Sequence, residues 1–485
     1  MQKVSEFEKN GLTNGKIRQR KQLDLLGLKM TVRFDDSLPA LIDILEREIG
    51  RDELTKGVVV RDVGGRLAFV SASSISEKSK IRIGRRLMAA LGAYARPDRV
   101  IASVDDFGVE SLLHDKSALV ASVSGCSFRL IDRRLVGADW LRSPAPRAPQ
   151  PSRFVFASIK GGVGRSTALA VAAAHLAARG KRVLAIDLDM EAPGLGSLLL
   201  DENTLPEFGL IDALVENGLG PLDGQFLADI VGPSRLAGNH GRIDVIPAFG
   251  RRSVENPGEV LSKIARAYMD DVGADGKVAS ILDQISSLID EFSDPNRYDV
   301  ILIDARAGLH ETTATAILGL GAEVFLFGID EPQTFQGYSA LLSHLARFRD
   351  VNSKSAPEWL DRISMIQAKA PLDADARQGF SDRCLELFLS TGLESAGGIV
   401  PSEPQPPAEP FDDVPWDDAI SDEEALPLEG RSFRDPVPIM HDDIFRQFDP
   451  RRQRDLLSEV VYEKSYGLFI GRLLESFPGI ERRNA

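Results

Sequence analysis

From Arg153 onward, short apolar runs of β-forming residues alternate with segments of helical periodicity. Helical segments are predicted at Thr167 to Ala178, within 258–292 and at Thr334 to Phe348. Strands without a polar face are typical of a parallel sheet that is covered on both sides. The pattern therefore predicts a mostly parallel, doubly wound α/β sheet. Its candidate strands are Phe154 to Ser158, Val183 to Ile186, Ile243 to Ile246, Val300 to Ile303, Val324 to Phe327 and Ile363 to Ile366, with Val437 to Met440 as a last short strand.

The first 142 residues show a different pattern. Strand-like composition occurs at Met30 to Phe34, at Gly57 to Ser71 with a turn at Gly64-Gly65, and at Ala118 to Leu130, while Ser37 to Ile49 has helical periodicity. We expect a smaller α+β domain at residues 1–142. It carries no recognisable catalytic constellation, and we interpret its His114 as structural.

Two composition breaks complete the predicted domain organisation. Residues 143–152 (SPAPRAPQPS) indicate an extended linker. Residues 401–432 are rich in Pro, Asp and Glu and poor in strand formers, which predicts a disordered acidic insertion. The second domain then occupies residues 153–400, and residues 433–485 complete it.

A closing helix is predicted at Asp455 to Leu474. Packing on the core is favoured over a helix that lies on a membrane surface. Its expected apolar side comprises Leu456, Val460, Tyr466, Phe469 and Leu473.

The net charge of −14 argues against a protein that coats nucleic acid by global attraction. Two basic clusters leave a nucleic-acid partner open without favouring it, since such runs are usually solvated. They are Lys16, Arg18, Arg20 and Lys21, and Lys78, Lys80, Arg82, Arg85 and Arg86. No apolar stretch is long enough for a transmembrane segment. The two cysteines, Cys126 and Cys384, are expected to be buried and suit a reducing, cytoplasmic location.

A glycine-rich turn joins the first strand of the second domain to an alanine-rich helix. It reads Lys160-Gly161-Gly162-Val163-Gly164-Arg165-Ser166-Thr167. Glycines let successive N–H groups point inward, and the following helix N-terminus adds positive potential. The turn therefore predicts a phosphate site, where Ser166 can bind Mg²⁺ and Thr167 an inner phosphate. A glycine-rich turn without a ligand is the simpler alternative.

KGGVGRST resembles the deviant Walker A motif, KGGxGK[ST]T, of the ParA/MinD family of ATPases. In that family the first lysine, here Lys160, reaches the partner's phosphates across a nucleotide-sandwich dimer. The second lysine is replaced by Arg165, which is longer, planar and bidentate. Arg165 still neutralises phosphate oxygens, but the replacement leaves hydrolysis less firmly predicted than nucleotide binding.

Two further segments are similar to motifs of that family and occur in the same order. Val183 to Pro193 ends its strand in Asp187-x-Asp189, and Tyr298 to Gly308 resembles a Walker B strand and its switch. The resemblance implies that Asp189 orients the attacking water and that Asp187 and Asp304 lie at the Mg²⁺. It also implies that the Gly308 amide senses the γ-phosphate. Ala305-Arg306-Ala307 departs from the family pattern, and we interpret Arg306 as an exposed charge rather than a phosphate or partner contact.

The resemblance covers residues 153–370 well and 436–474 loosely. Gln367, Lys369 and Pro438 lie where relatives place adenine-contacting loops. The catalytic candidates are thus Asp189, Lys160 and Arg165, the magnesium ligands are Ser166, Asp187 and Asp304, and the nucleotide contacts are Lys160 to Thr167 with Asp304 and Gly308. No family resemblance extends to the N-terminal domain.

The resemblance implies an ATP-dependent homodimer that hydrolyses Mg·ATP slowly and regulates a protein partner through its N-terminal domain. A second hypothesis is a non-hydrolysing, ATP-bound scaffold or interaction protein in a multi-gene system, for example in defence. A metabolic ligase or reductase of the same superfamily is a third, although two isolated cysteines supply no iron–sulfur site. A role in plasmid or chromosome partitioning is disfavoured by the acidic net charge.

Overall fold

The computed structural model describes residues 32–238, 240–272, 278–349, 357–393 and 434–477. The chain divides into two compact units, Met1–Leu141 and Arg142–Ala485. Each unit is described by itself below. Both the acidic segment 401–432 and the basic cluster at residues 16–21 lie outside the described residues.

The first unit is a five-stranded mixed sheet with helices. The strand order is β3-β2-β1-β5-β4, in which β1 pairs antiparallel with β2 and parallel with β5. Leu41, Leu45 and Leu87 pack with Phe69 in its core. The helices are α1 (Phe34–Ile49), α2 (Arg51–Lys56), α3 (Glu77–Leu91) and α4 (Glu110–Leu113), and the strands are β1 (Val58–Arg61), β2 (Leu67–Ser71), β3 (Ile101–Ser103), β4 (Leu119–Val123) and β5 (Cys126–Asp132).

The strand expected at Met30 to Phe34 is wrong where the structure describes it, because Phe34 opens helix α1. Asp35 and Asp36 lie in the first turn of that helix, where negative charge stabilises the helix dipole. This local signal overrides the strand propensity of the preceding residues. Both cysteines are buried and free, as expected.

The second unit contains an eight-stranded sheet in the order β15-β14-β13-β6-β12-β7-β9-β8. All neighbouring strands are parallel except β8 and β9. The predicted fold class is therefore confirmed. The strands of this unit are β6 (Ser152–Ser158), β7 (Arg182–Asp187), β8 (Gly232–Pro233), β9 (Arg242–Ile246), β10 (Asp271–Val272), β11 (Val278–Ala279), β12 (Val300–Ala307), β13 (Glu323–Gly328), β14 (Ile363–Ala370) and β15 (Val437–Met440).

The helices of this unit connect and cover the strands. They are α5 (Arg165–Ala178), α6 (Leu195–Leu199), α7 (Leu210–Asn217), α8 (Gly224–Asp229), α9 (Arg251–Glu255), α10 (Val260–Ala267), α11 (Ile281–Glu291), α12 (Glu311–Ala314), α13 (Pro332–Leu345), α14 (Glu358–Asp361), α15 (Ala374–Thr391) and α16 (Glu459–Glu475). A π-helical turn, Thr315–Gly319, follows α12.

Both faces of the sheet are covered, since six successive residues of β12, from Val300 to Ala305, are buried. Helix α5 is buried on nearly every side, and its alanines let it approach the sheet closely. Phe156 and Phe325 of the sheet pack edge-to-face with Phe469 of α16, with ring centroids 5.9 and 5.3 Å from that ring. This packing seats α16 in the core of the unit.

Helix α16 confirms the choice of core packing for the closing segment, with two corrections. It begins at Glu459, so Leu456 lies in the short 3₁₀ turn before it. Tyr466, Phe469 and Leu473 are buried, whereas Val460 is 90% exposed. Val460 lies in the first turn, two residues before Tyr462, which takes the core-facing position instead.

Residues 143–151 have no regular structure and run along the second unit. The Ala145 amide donates to the Leu318 carbonyl at 2.7 Å, and the Ala148 amide donates to the Gly321 carbonyl at 2.9 Å. Arg147 forms an ion pair with Glu323 at the start of β13.

Candidate functional site

The glycine-rich turn lies between the end of β6 and the start of α5. Gly162 and Gly164 adopt φ values of +73° and +96°, which are open to glycine and strained for other residues. No atom lies within 4 Å of a Cβ built at Gly161, Gly162 or Gly164, so the concave side of the turn is clear. The turn ends in the N-terminus of a 14-residue helix, which attracts anions.

Three strand ends bring an acidic cluster against this turn. Strand β12 lies between β6 and β7, with Asp304 in register with Asp187. The Ser166 hydroxyl donates to Asp304 Oδ2 at 2.5 Å. Arg165 lies near two carboxylates of this cluster, those of Asp189 and Asp304. Its Nη2 lies 3.8 Å from Asp189 Oδ2, and its Nε lies 3.8 Å from Asp304 Oδ1.

Asp187 is fully buried and shapes the loop that follows β7. Its carboxylate accepts hydrogen bonds from the amides of Asp189 at 3.0 Å, Gly194 at 3.2 Å and Leu195 at 3.0 Å. Asp189 in turn accepts from the Ala192 amide at 3.1 Å. The loop is therefore folded around these two side chains.

Burial raises the pKa values of all three carboxyl groups. For Asp187 the neighbouring Asp304 carboxylate adds to the effect of burial, while for Asp304 the cation of Arg165 opposes it. Burial likewise raises the pKa of Asp189. Carboxylates crowded in a dry site favour a nearby cation, which lowers the free energy of their charged forms.

The donor set fits a magnesium ion beside a phosphate. Asp304 Oδ1 is buried and has no hydrogen-bond partner within the described residues, and Ser166 and Asp187 supply further oxygens. Among the described residues no three His, Cys, Asp or Glu side chains group into a metal cage. Magnesium usually takes only one or two carboxylates and completes its shell with water and substrate phosphates.

Lys160 and Gly308 have partners within the chain. Lys160 Nζ donates to Glu331 Oε2 at 2.5 Å, and its side chain is 37% exposed. The Gly308 amide, at φ +90°, donates to the Ser158 carbonyl at 2.8 Å. The Gly308 amide must exchange its partner to contact a nucleotide phosphate, whereas the Lys160 ammonium has two further N–H donors.

A cavity of about 600 Å³ opens beside the turn, between Gly162 to Thr167 and the ends of β14 and β15. Lys369, at φ +52°, lines it and donates from Nζ to the Gly162 carbonyl at 2.8 Å. Gln367 is buried opposite Pro438 in the β14–β15 ladder. The cavity is large enough for a nucleotide, since ligand pockets commonly measure about 300–1,000 Å³.

Several residues of this cavity escaped the sequence analysis because they follow β15 without a recognisable motif. They are His441, Asp442, Asp443, Phe445 and Arg446. Tyr466, which was expected on the apolar side of the closing helix, also lines the cavity from α16.

The expectation that Arg306 is merely an exposed charge is wrong. Its side chain is 28% exposed and forms an ion pair with Glu191, which the sequence analysis did not single out. One signal was available: Glu191 follows Asp189 by two residues, as Arg306 follows Asp304, and the two strands are neighbours.

A family model described as an AAA domain matches residues 153–356. The match includes the glycine-rich turn, the Asp187-x-Asp189 loop and the Asp304 strand in a parallel sheet. The segment therefore resembles a P-loop ATPase domain, and the unit that contains it is called the ATPase domain below.

The chain also has a curated relative. It is 30% identical over 255 residues to "Putative replication protein A" of Sinorhizobium fredii (strain NBRC 101917 / NGR234). The alignment covers 50% of this chain and 57% of the relative, so the chain spans little more than half of that protein's length.

Solved structures with similarity to the chain include two ATPases. A ParA family ATPase from Chlorobium tepidum TLS is 20% identical, covers 49% of this chain and 81% of its own, and has a TM-score of 0.32. The cell division ATPase MinD of Pyrococcus furiosus is 17% identical, covers 67% and 99%, and has a TM-score of 0.38. Within the described residues, no helix is both long and apolar enough to cross a membrane.

Proposed function

We propose that the ATPase domain binds Mg·ATP, dimerises on it and hydrolyses it slowly, as a switch that regulates a partner in the cytoplasm. One observation carries the proposal. A cavity of about 600 Å³ adjoins a glycine-rich turn whose other side meets three buried aspartates. This arrangement separates a place for the base and ribose from a place for the γ-phosphate and its metal.

The reaction is ATP + H₂O → ADP + phosphate. A water oxygen bonds to the γ-phosphorus, the bond to the β–γ bridging oxygen breaks, and ADP keeps that electron pair. The proton lost by the water leaves with the products. When bound, Mg²⁺ neutralises charge on the phosphates, and Ser166, Asp187 and Asp304 are the residues that would hold it.

Asp189 is the residue proposed to orient the attacking water. It is 8% exposed, and its Oδ2 lies 3.8 Å from Arg165 Nη2. A carboxylate in that place accepts a hydrogen bond from water and holds it for attack. Arg165 Nη1 is buried without a hydrogen-bond partner among the described residues, and it can donate to a phosphate oxygen.

Lys160 is proposed to act across the dimer, as the family resemblance implies. Two exposures support this. The side chain of Lys160 is 37% exposed, and that of its ion-pair partner Glu331 is 45% exposed. Such exposed pairs contribute only about 0–1 kcal/mol, so phosphates of a second protomer can replace Glu331.

The first unit is proposed to recognise a protein partner. Its separation as a compact unit supports a role distinct from nucleotide binding. Nucleic acid is not favoured, since Arg82 and Arg86 of its basic helix α3 both pair with Glu48 and Lys80 pairs with Asp106.

A non-hydrolysing scaffold is the second candidate, and Arg165 supports it. The guanidinium lies 3.8 Å from both Asp189 and Asp304. If that cation stays with the carboxylates when ATP binds, Asp189 is not available to orient water.

Light scattering with Mg·ATP, with Mg·ADP and without nucleotide tests the proposal, with phosphate release followed in the same samples. We expect a doubled mass with Mg·ATP alone, its loss in Lys160→Ala, and a persistent dimer without phosphate release in Asp189→Ala. Asp375→Ala, an exposed aspartate in the first turn of α15, is the matched control.

Two outcomes are distinguished by these samples. An unchanged mass with ATP bound contradicts the dimerising switch. ATP binding and dimerisation without phosphate release select the scaffold. Arg165→Lys, which restores the family residue, should then raise phosphate release, because lysine makes a single point contact and frees Asp189.

A further inference from the structure

Charged side chains connect the loop after β7 to the end of β12, outside the phosphate turn. Arg306 Nη1 forms a close ion pair with Glu191 Oε1. His310 Nε2 lies 3.6 Å from the same oxygen. The Tyr268 ring packs edge-on against His310, with centroids 5.0 Å apart. None of these four side chains lines the nucleotide cavity.

The Glu191–Arg306 pair is more sheltered than an ordinary surface ion pair. The side chains of Glu191 and Arg306 are 23% and 28% exposed. Partial burial reduces screening by solvent and strengthens the attraction between the two charges. It also makes an unpaired charge at either position costly, so each side chain holds the other in place.

The loop after β7 and the end of β12 each make a further hydrogen bond within the ATPase domain. The Asp187 carboxylate holds the amides of Gly194 and Leu195, which follow Glu191. The Arg306 carbonyl accepts from the Thr313 hydroxyl at 3.0 Å. The ladder between β12 and β6 changes register between Asp304 and Ala307, so Arg306 lies at an irregularity. The ion pair therefore joins two segments that the sheet ladder does not hold together at this point.

The two joined segments carry the groups on which hydrolysis depends. Glu191 follows Asp189 by two residues, and Arg306 follows Asp304 by two and precedes Gly308 by two. The Leu188 amide also donates to the Asp304 carbonyl at 3.0 Å, on the strand side of the same junction. A shift of either segment would move Asp189 relative to Asp304.

We propose that Glu191 and Arg306 are positioning residues for hydrolysis. Their ion pair sets the distance between Asp189 and Asp304 without contacting the nucleotide. The inference rests on the proposed function, because it assumes that Asp189 orients the attacking water. A displacement of about 1 Å in such a group can lower the rate about 100-fold.

A charge-reversal cycle tests the pair in the full-length chain. The variants are Glu191→Arg, Arg306→Glu and the double reversal, with Glu191→Gln and Arg306→Gln as milder changes. For each, kcat is measured by phosphate release and Kd with a fluorescent ATP analogue. The matched control reverses Glu207 and Arg252, whose side chains pair at 2.6 Å in the same unit.

We expect each single reversal to lower kcat by about 10- to 100-fold while Kd changes by less than about 3-fold. The double reversal should recover at least about 10-fold of kcat, since it restores the attraction with opposite polarity. The control reversals should leave kcat unchanged. A residue that merely supports the fold would instead change Kd and kcat together and lower the melting temperature.

Other outcomes overturn the proposal in distinguishable ways. Unchanged kcat in the single variants of a hydrolysing chain rejects the positioning pair and leaves the proposed function standing. Parallel loss of kcat, ATP binding and thermal stability, with no recovery in the double reversal, assigns the pair to folding. A wild-type chain that binds ATP and releases no phosphate overturns the proposed hydrolysis, and this inference with it.

Discussion

His175 illustrates how one buried residue connects two helices of the ATPase domain. It lies on α5 and is 2% exposed, and its Nδ1 forms a hydrogen bond of 2.6 Å with the Tyr462 hydroxyl of α16. Burial and the neighbouring Arg179 cation lower its pKa from 6.5 to about 4, although Glu459 opposes this shift. The imidazole is therefore neutral in the folded protein at neutral pH.

This lowered pKa predicts a loss of stability in mild acid. The unfolded chain binds a proton at His175 below pH 6.5, whereas the folded chain does so only near pH 4. The contribution of His175 is complete above pH 6.5 and is lost as the pH falls toward 4. Between pH 7.5 and 5 the expected loss is about 2 kcal/mol.

Urea unfolding at the two pH values measures this effect. His175→Gln keeps a polar side chain that cannot titrate, so its free energy of unfolding should fall by about 2 kcal/mol less than that of the wild type. Equal losses in both proteins would show that His175 is charged in the folded state.

At the scale of elements, the packing of α13 on the segment before the phosphate turn is unusually close. A Cβ added at Gly337 would lie 2.3 Å from Ile159 Cγ2 and 3.0 Å from Ile159 Cβ. Ile159 directly precedes Lys160, so the absence of a side chain at Gly337 determines how near helix and turn can come.

Gly337→Ala should therefore destabilise the ATPase domain by about 1–3 kcal/mol and weaken ATP binding, even though alanine favours a helix by about 1 kcal/mol. Gly379→Ala is the control, because its nearest contacts are the Arg383 guanidinium nitrogens at 3.7 and 3.9 Å. That substitution in α15 should be neutral or stabilising by up to about 1 kcal/mol. Denaturant midpoints and ATP titrations measure both effects. A destabilised Gly379→Ala and an unaffected Gly337→Ala would contradict the assigned contact.

At the scale of the whole molecule, the two compact units should respond differently to nucleotide. The cavity and the acidic cluster belong entirely to the unit 142–485. A ligand stabilises the unit that folds around it, by about 2.7 kcal/mol at 100 times Kd.

Hydrogen exchange with mass spectrometry measures this difference. Mg·ATP should slow exchange in peptides of β6, α5, β7 and β12, and leave the peptides of β1 to β5 unchanged. Arg165→Ala should abolish the effect, since Arg165 Nη1 is buried, has no hydrogen-bond partner among the described residues and is free to bind a phosphate oxygen. Slower exchange throughout both units would instead indicate that nucleotide binding couples them.

Local sequence patterns predicted seven of the eight strands of the large sheet, all except β8, and the position of the glycine-rich turn. Apolar runs such as Val300 to Ile303 are typical of strands in a parallel sheet covered on both faces, and the turn from Gly161 to Gly164 needs backbone angles that glycine supplies. Both signals are local. They required no knowledge of which distant residues would meet.

The charged side chains at the site find their partners in distant parts of the chain, so these partners are seen only in the folded structure. Lys160 meets Glu331 and Lys369 meets the Gly162 carbonyl across 171 and 207 residues of chain. His175 meets Tyr462 across 287 residues, and Glu191 meets Arg306 where neighbouring strands end. Periodicity reports which side of an element is apolar, but not which element covers it. The contacts that set the charge and position of the site therefore became visible only in the folded chain.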